Sequence, residues 1–157
     1  MPTIQLKAMT RKLCHELYKH WANDASIYMD MHLFQPYVYD EAAVNRYLDM
    51  KGQDSSRRLF AIMLGDKVIG ELQLKQIDHD KKECSLSIHM QNDAVKGKGY
   101  GTQAERLAVK TAFDELGMAA VNADTIRKNT RSQHVLENVG FRFVGEDEAF
   151  KYYRIEQ

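Results

Sequence analysis

The sequence predicts one mixed α/β domain over residues 1–157, with a largely antiparallel central sheet flanked by helices. Three observations carry that prediction. Segments alternating with period two are interspersed with segments of helical period along the chain. Gly65-Asp66 is a two-residue turn between two such strands, the mark of a hairpin. A glycine-rich loop, "KGKGYG", stands directly before a long helical run, where a helix N-terminus can meet an anion.

The elements follow in order. "TIQLKAM" alternates as a first strand, and "TRKLCHELYKHWAND" places Leu13, Leu17 and Trp21 four residues apart on one helical face. Pro36 breaks any helix through "LFQPY", and Asp40 is suited to cap a second helix, "DEAAVNRYLDM". "RRLFAIML" and "KVIGELQL" are the hairpin strands, and the polar turn "DHDKK" leads into the strand "ECSLSIHM". After the glycine loop, Ala104, Leu107, Ala108, Ala112, Phe113 and Leu116 form an apolar stripe, closed by Gly117 as a C-terminal cap. "AAVNADTI" is a further strand, "RSQHVLENVG" a short helix, and "FRFVGE" with "AFKYYRI" a closing antiparallel pair.

Composition narrows the function classes. The 22 basic residues balance 22 acidic ones, so no global basic footprint points to nucleic acid. Cys14 and Cys84 match no metal or redox spacing and read as reduced thiols of a cytoplasmic protein. No apolar run is long enough for a bilayer and the N-terminus lacks a signal-peptide pattern, so neither membrane nor export is expected. No metal is expected either. His15 and His20 lie five apart, about 140° around a helix at ~100° per residue, and do not converge. A zinc-protease motif from His15-Glu16 would need histidine where Lys19 stands.

The loop itself is the most informative stretch. Gly97, Gly99 and Gly101 let backbone N–H groups approach an anion and permit φ > 0, while Lys96 and Lys98 make the surroundings positive. A P-loop would need Ser or Thr after Gly97-Lys98, where Gly99 stands. A dinucleotide fingerprint wants its third glycine at Thr102. Asp124 could mimic the ribose-binding acid of that fingerprint, but the loop follows an antiparallel hairpin rather than opening an early βαβ unit.

"KGKGYGTQA" resembles the pyrophosphate-binding motif of the GNAT acetyltransferases: Arg or Gln, two residues, Gly, one residue, then Gly or Ala. Lys96, Gly99 and Gly101 occupy those places. "NTRSQHVLENVGF" is similar to the family's second signature, with Asn129, Ser132, Gly140 and Phe141 matching. Together with "IYMDMHLFQPYVYDEAAVNRYL" it resembles the branch that includes the RimJ/RimL-like protein N-acetyltransferases and many small-molecule acetyltransferases. The resemblance covers nearly the whole chain. It implies a GNAT domain that binds acetyl-CoA through Ile88, Met90, Lys96, Gly97, Lys98, Gly99, Tyr100, Gly101, Thr102, Asn129 and Ser132. Arg127, Lys128 or Arg131 would then lie near the 3′-phosphate of coenzyme A. The segment holding Tyr28, Tyr37 and Tyr39 would form one wall of the acceptor site. The resemblance leaves room for a homodimer. Two departures stand out: Lys96 lacks the planar fork of the usual Arg, and Leu136 stands where many members carry a thiol-protonating tyrosine.

The implied reaction is attack of an amine on the thioester carbonyl, which requires a base for the amine's proton. By period two, Glu83, Ser85, Ser87 and His89 share one face of "ECSLSIHM". Glu83 is the first candidate base and His89 the second. Ser132, four residues before Leu136 on the same helical face, is the candidate partner of the leaving sulfur. The expected function is therefore N-acetyl transfer from acetyl-CoA to a primary amine, either a protein N-terminus or a small molecule. A non-catalytic acyl-CoA-binding regulatory module is the reading from a different class.

Overall fold

The computed structural model describes residues 3–25 and 31–157. A seven-stranded sheet has the spatial order β1-β2-β3-β4-β5-β7-β6. Its strands are β1 (Ile4–Ala8), β2 (Arg58–Leu64), β3 (Lys67–Asp78), β4 (Glu83–Met90), β5 (Ala120–Ile126), β6 (Arg142–Glu146) and β7 (Phe150–Glu156). Among the described residues the α-helices are α1 (Arg11–Lys19), α2 (Glu41–Gly52), α3 (Tyr100–Asp114) and α4 (Thr130–Val139).

Local signals explain most boundaries. Thr10 caps α1 by accepting the N–H of Leu13, and Asp40 caps α2 by accepting from Ala42 and Ala43. Asn129 caps α4 through Ser132 N–H, and Gly140 ends that helix in the left-handed region at φ 114°. The largest difference from expectation is at the end of α1. The helix expected through Asp24 stops at Lys19, because the following chain is strapped to the end of β4: Ala22 N–H donates to Gln91 C=O (2.9 Å), and the Gln91 side-chain amide donates to Leu17 C=O (2.8 Å). A tertiary contact overrides the helical pattern.

Strand parity sorts the layers. Leu72 and Leu74 of β3 and Leu86 of β4 face the main core with Ala104, Ala108 and Ala112 of α3. Their neighbours Glu71 and Gln73 face the other side, where Leu17 of α1 packs on Ala61, Met63 and Val68. Ala104, Ala108 and Ala112 make a small-residue row on the buried face of α3, which lets the middle of the helix lie close to the sheet.

One join interrupts the antiparallel order. β4 and β5 are parallel, and their register runs only through Glu83↔Ala120, Cys84↔Val121 and Ser85↔Asn122. Past that register both strands continue, to Met90 and Ile126. Residues of both continuing strands line a cleft of about 690 Å³ that also reaches the start of α3 and the N-terminal turns of α4. The sheet is split open where a ligand can enter it.

Candidate active site

At the glycine loop the cleft is lined by Lys96 and Gly101, with Gly97 and Gly99 between them behind its wall. Gly97 and Gly99 both have positive φ, 73° and 81°, a region that side-chain-bearing residues rarely adopt. Gly99 is the N-cap of α3, and no side-chain cap of that helix occurs among the described residues. The first-turn N–H groups and the positive end of the dipole are thus offered to an outside anion. Across the cleft, Lys128, the cap Asn129, and Thr130, Arg131 and Ser132 of the first turn of α4 line it too. A diphosphate ester carrying a further phosphate fits this donor set.

Backbone donors also face the split. Gln91 N–H donates to Ile69 C=O on β3 (2.8 Å), so residues 87 and 89 of β4 turn their backbone polar groups toward β3 by period two. Ile88 and Met90 turn theirs the other way, toward the gap.

A second cleft, of about 590 Å³, lies on the α1–α2 side of the sheet. Tyr18, Trp21, Tyr37 and Tyr47 are its aromatic walls. Glu71 lines it too and is 1% exposed. The Glu71 Oε1 accepts from Tyr47 Oη (2.5 Å), Gln73 Nε2 (3.0 Å) and Tyr18 Oη (3.4 Å), while Oε2 is buried without a hydrogen-bond partner among the described residues. Arg57 in turn donates to Gln73. Trp21, Asn23, Lys75, Ser87 and His89 line both clefts, so the two meet at this part of the β3–β4 face.

The two candidate bases of the sequence have different fates. Glu83 sits at the closed end of the β4–β5 join and lines neither cleft. It accepts hydrogen bonds from Arg154 of β7 and from Asn122 of β5 (3.2 Å). Those bonds hold its carboxyl below the usual range, making it a weaker base as well as a distant one. Period two correctly grouped Glu83 with His89, but a partner 71 residues away captures it. His89 instead stands where the clefts meet, directly opposite Glu71 in the β3–β4 register. Its ring is exposed to the clefts yet closely surrounded, and desolvation lowers its pKa against the opposing pull of Glu71. Lys75 and Lys96 push in the same direction as desolvation. The imidazole is therefore neutral near pH 7, able to accept a proton.

Other expected site residues divide likewise. Lys96 lines the first cleft, but its ammonium is held by Asp24 (3.0 Å) and Asp93 (3.4 Å). It braces the loop. Tyr100 points into the main core and is 7% exposed, so its ring is structural rather than a ligand contact. Lys98 and Thr102 lie in the loop and first helical turn without lining the cleft, whereas Gly101 lines it. Tyr37 lines the second cleft, but Tyr39 does not: its hydroxyl pairs with His15 Nδ1 at 2.6 Å. Tyr28 lies outside the described residues. Arg127 turns to Asp147 C=O and Glu146, leaving Lys128 and Arg131 at the cleft. Ser132 lines the cleft with Leu136; its N–H serves the Asn129 cap, and its hydroxyl is not what caps the helix. Cys14 and Cys84 are free and buried, and no group of His, Cys, Asp and Glu suited to a metal occurs among the described residues.

One residue of the cleft was not signalled by the expected motifs. Glu105 of α3 lines it, is 1% exposed, and has a buried Oε1 with no partner among the described residues. Burial alone raises its carboxyl to about 8. Between an ordinary 4.5 and that value the folded chain holds a proton that the unfolded chain releases, so this group lowers stability as pH rises through the window. Glu105→Gln is expected to stabilise the fold by roughly 3 kcal/mol at pH 7 and by little near pH 4.5. Denaturant midpoints at the two pH values check this.

These features define a domain split at a parallel join, with an uncapped helix start beside the split. The family model described as "Acetyltransferase (GNAT) domain" matches residues 4–142, and the chain belongs to that family. It is 35% identical over 80 residues to a probable N-acetyltransferase YjcK of Bacillus subtilis, covering 51% of this chain and 44% of that protein. It is 26% identical over 93 residues to spermidine N(1)-acetyltransferase of Escherichia coli, covering 59% and 50%. The chain thus matches about half the length of these curated relatives. Among solved structures, spermidine N-acetyltransferase of Vibrio cholerae in complex with CoA and spermine has a TM-score of 0.80 at 19% identity, covering 99% of this chain and 96% of that one. A dodecameric structure of the Vibrio cholerae enzyme has a TM-score of 0.74, also at 19% identity, covering 99% and 94%. Such identities establish the fold.

Proposed function

We propose that this chain is an acetyl-CoA-dependent N-acetyltransferase that acetylates a primary amine by direct attack in a ternary complex. The observation that carries the proposal is the meeting of two clefts from opposite faces of the sheet at Ser87 and His89. A donor and an acceptor can thereby reach one point without competing for one entrance.

Acetyl-CoA supplies an activated acyl carbon and a thiolate leaving group. In this reading the glycine nest and α3 dipole hold the pyrophosphate, and Lys128 and Arg131 meet the 3′-phosphate. The outward N–H groups of Ile88 and Met90 are supported as donors to the carbonyl oxygen by their parity in β4. His89 takes the amine's proton, and the Ser132 hydroxyl hydrogen-bonds the leaving sulfur. The aromatic walls and Glu71 suit a cationic amine, since ring faces and a carboxylate both attract ammonium. Placement in the RimJ/RimL-like branch is part of this proposal and rests on the motifs; the spermidine-acetylating relatives favour small-molecule amines over protein N-termini. So are a homo-oligomer, which the exposed Phe143 and Val144 on edge strand β6 favour, and a cytoplasmic setting, which the two free cysteines favour. No helix among the described residues is long and apolar enough to cross a membrane.

Thiol release from acetyl-CoA, measured against polyamines, amino sugars, amino acids and N-terminal peptides, tests the reading. Release with at least one amine is expected. Tight acetyl-CoA binding with no thiol from any amine would mark a regulatory acyl-CoA-binding module instead.

Ser132→Ala is expected to lower kcat about tenfold, with acetyl-CoA affinity and melting temperature little changed. The melting temperature holds because the cap uses the backbone N–H of residue 132, which alanine keeps. An unaltered kcat would remove Ser132 from the mechanism.

A further inference from the structure

Resting on the acetyltransferase reading, we propose that Glu105 is the general acid of this enzyme, giving its carboxyl proton to the sulfur of departing coenzyme A. Leu136, where many relatives place a tyrosine, is 2% exposed and has no proton to give. Ser132 can hydrogen-bond a sulfur, but a hydroxyl is a poor proton source near pH 7. The chain needs another donor or none.

The position of Glu105 follows from how α3 and α4 lie together. The Cα of Gly101 faces the Val135 side chain, since a Cβ built there would be 3.9 Å from Val135 Cγ1. One residue after Glu105, the Arg106 guanidinium donates to Asn138 C=O at 3.0 Å. Glu105 shares the helical face of Gly101, one turn on, between those two contacts and alongside the stretch that contains Leu136. Both residues line the same cleft. A carboxyl thus takes up the post of the absent phenol from the neighbouring helix.

Its surroundings keep it protonated. No charged neighbour contributes to its shift. Lys75, His89 and Lys96 line the cleft from the β3, β4 and loop side, with Asp24 paired to Lys96. Asp124, Lys128 and Arg131 line it from the β5 and α4 side. A carboxyl near 8 is also well matched to a thiol near ~8.5, the condition for efficient proton transfer at neutral pH. As the C–S bond breaks, sulfur takes the bonding pair and the Glu105 O–H proton, giving free thiol and amide. The carboxylate regains a proton equivalent to the one removed from the amine, by way of His89 and water, so the cycle balances.

The decisive experiment joins a titration to kinetics. Glutamate labelled with ¹³C at the carboxyl carbon would show a Glu105 signal, assigned by its loss in Glu105→Gln, titrating near pH 8. Coenzyme A is expected to move that signal and desulfo-coenzyme A, which lacks the sulfur, to leave it. Glu105→Gln should lower kcat about 10–100-fold with little change in the KM for acetyl-CoA, and abolish the alkaline fall in rate near pH 8. A gain in stability with a loss of kcat separates this role from packing. Glu105→Met, of similar volume, should lose kcat equally. An ordinary carboxylate titration, a signal blind to the sulfur, or variants that keep kcat and the alkaline fall would each overturn the assignment. If the unaltered protein releases no thiol with any amine, the acetyltransferase reading falls by itself, while the comparison of the two coenzymes still reports whether Glu105 meets the sulfur.

Discussion

Gly99→Asp is expected to lower acetyl-CoA affinity by about 100-fold or more while leaving the protein folded. Gly99 has φ 81°, which costs a side-chain-bearing residue of order 1 kcal/mol, and Asp is among the residues that tolerate that region best. Asp also suits a helix N-terminus, where its charge meets the positive end of the dipole, so stability should change little. For an incoming pyrophosphate the same change is severe. The carboxylate would stand beside the donors the phosphate needs, and two like charges about 4 Å apart repel by ~4 kcal/mol at an effective dielectric near 20. Gly99→Ala adds strain without charge and should weaken binding far less. Calorimetry with acetyl-CoA measures all three proteins. Wild-type affinity in a folded Gly99→Asp variant would mean that the nest does not hold the pyrophosphate, and the proposed orientation of the donor would fail with it.

What was legible in the sequence was local. Asp40 announces the start of α2 because its side chain acts on backbone N–H groups two and three residues away. The Gly65-Asp66 turn set the β2–β3 hairpin, and the glycine loop marked the start of α3. What could not be read depends on partners far along the chain. Glu83 is claimed by Arg154, and Lys96 by Asp24, 72 residues before it. Glu71 sits in "VIGELQL" among residues buried on both faces of β3, so alternation gave no sign of which side it served. Glu105 escapes the apolar pattern of α3 because that stripe runs through Ala104 and Ala108. The buried face is wider, and includes Val109 four residues after Glu105. A charge at i with a buried valine at i+4 was the available signal.

His89→Gln is the second large effect, an expected fall in kcat of about 10²–10⁴ with acetyl-CoA affinity preserved. The imidazole is the titratable group that lines both clefts with a pKa lowered by its surroundings, so its basic form dominates at neutral pH. The sign of the pH dependence follows. Activity needs the neutral ring, so the rate should fall as pH drops through a pKa lying below the ordinary 6.5. In His89→Gln that acidic limb should vanish, because glutamine neither titrates nor accepts a proton in this range. Glu71, opposite on β3, pulls the other way by favouring the imidazolium; Glu71→Gln should therefore move the limb to still lower pH. Glu83→Gln provides the contrast. Its carboxylate is tied to Arg154 and Asn122 at the closed end of the join, so its loss should leave the limb in place and kcat within a few-fold of wild type. If Glu83→Gln erased the acidic limb and His89→Gln kept it, the proton would have to leave through the closed end of the sheet, and His89 would be no more than part of the wall.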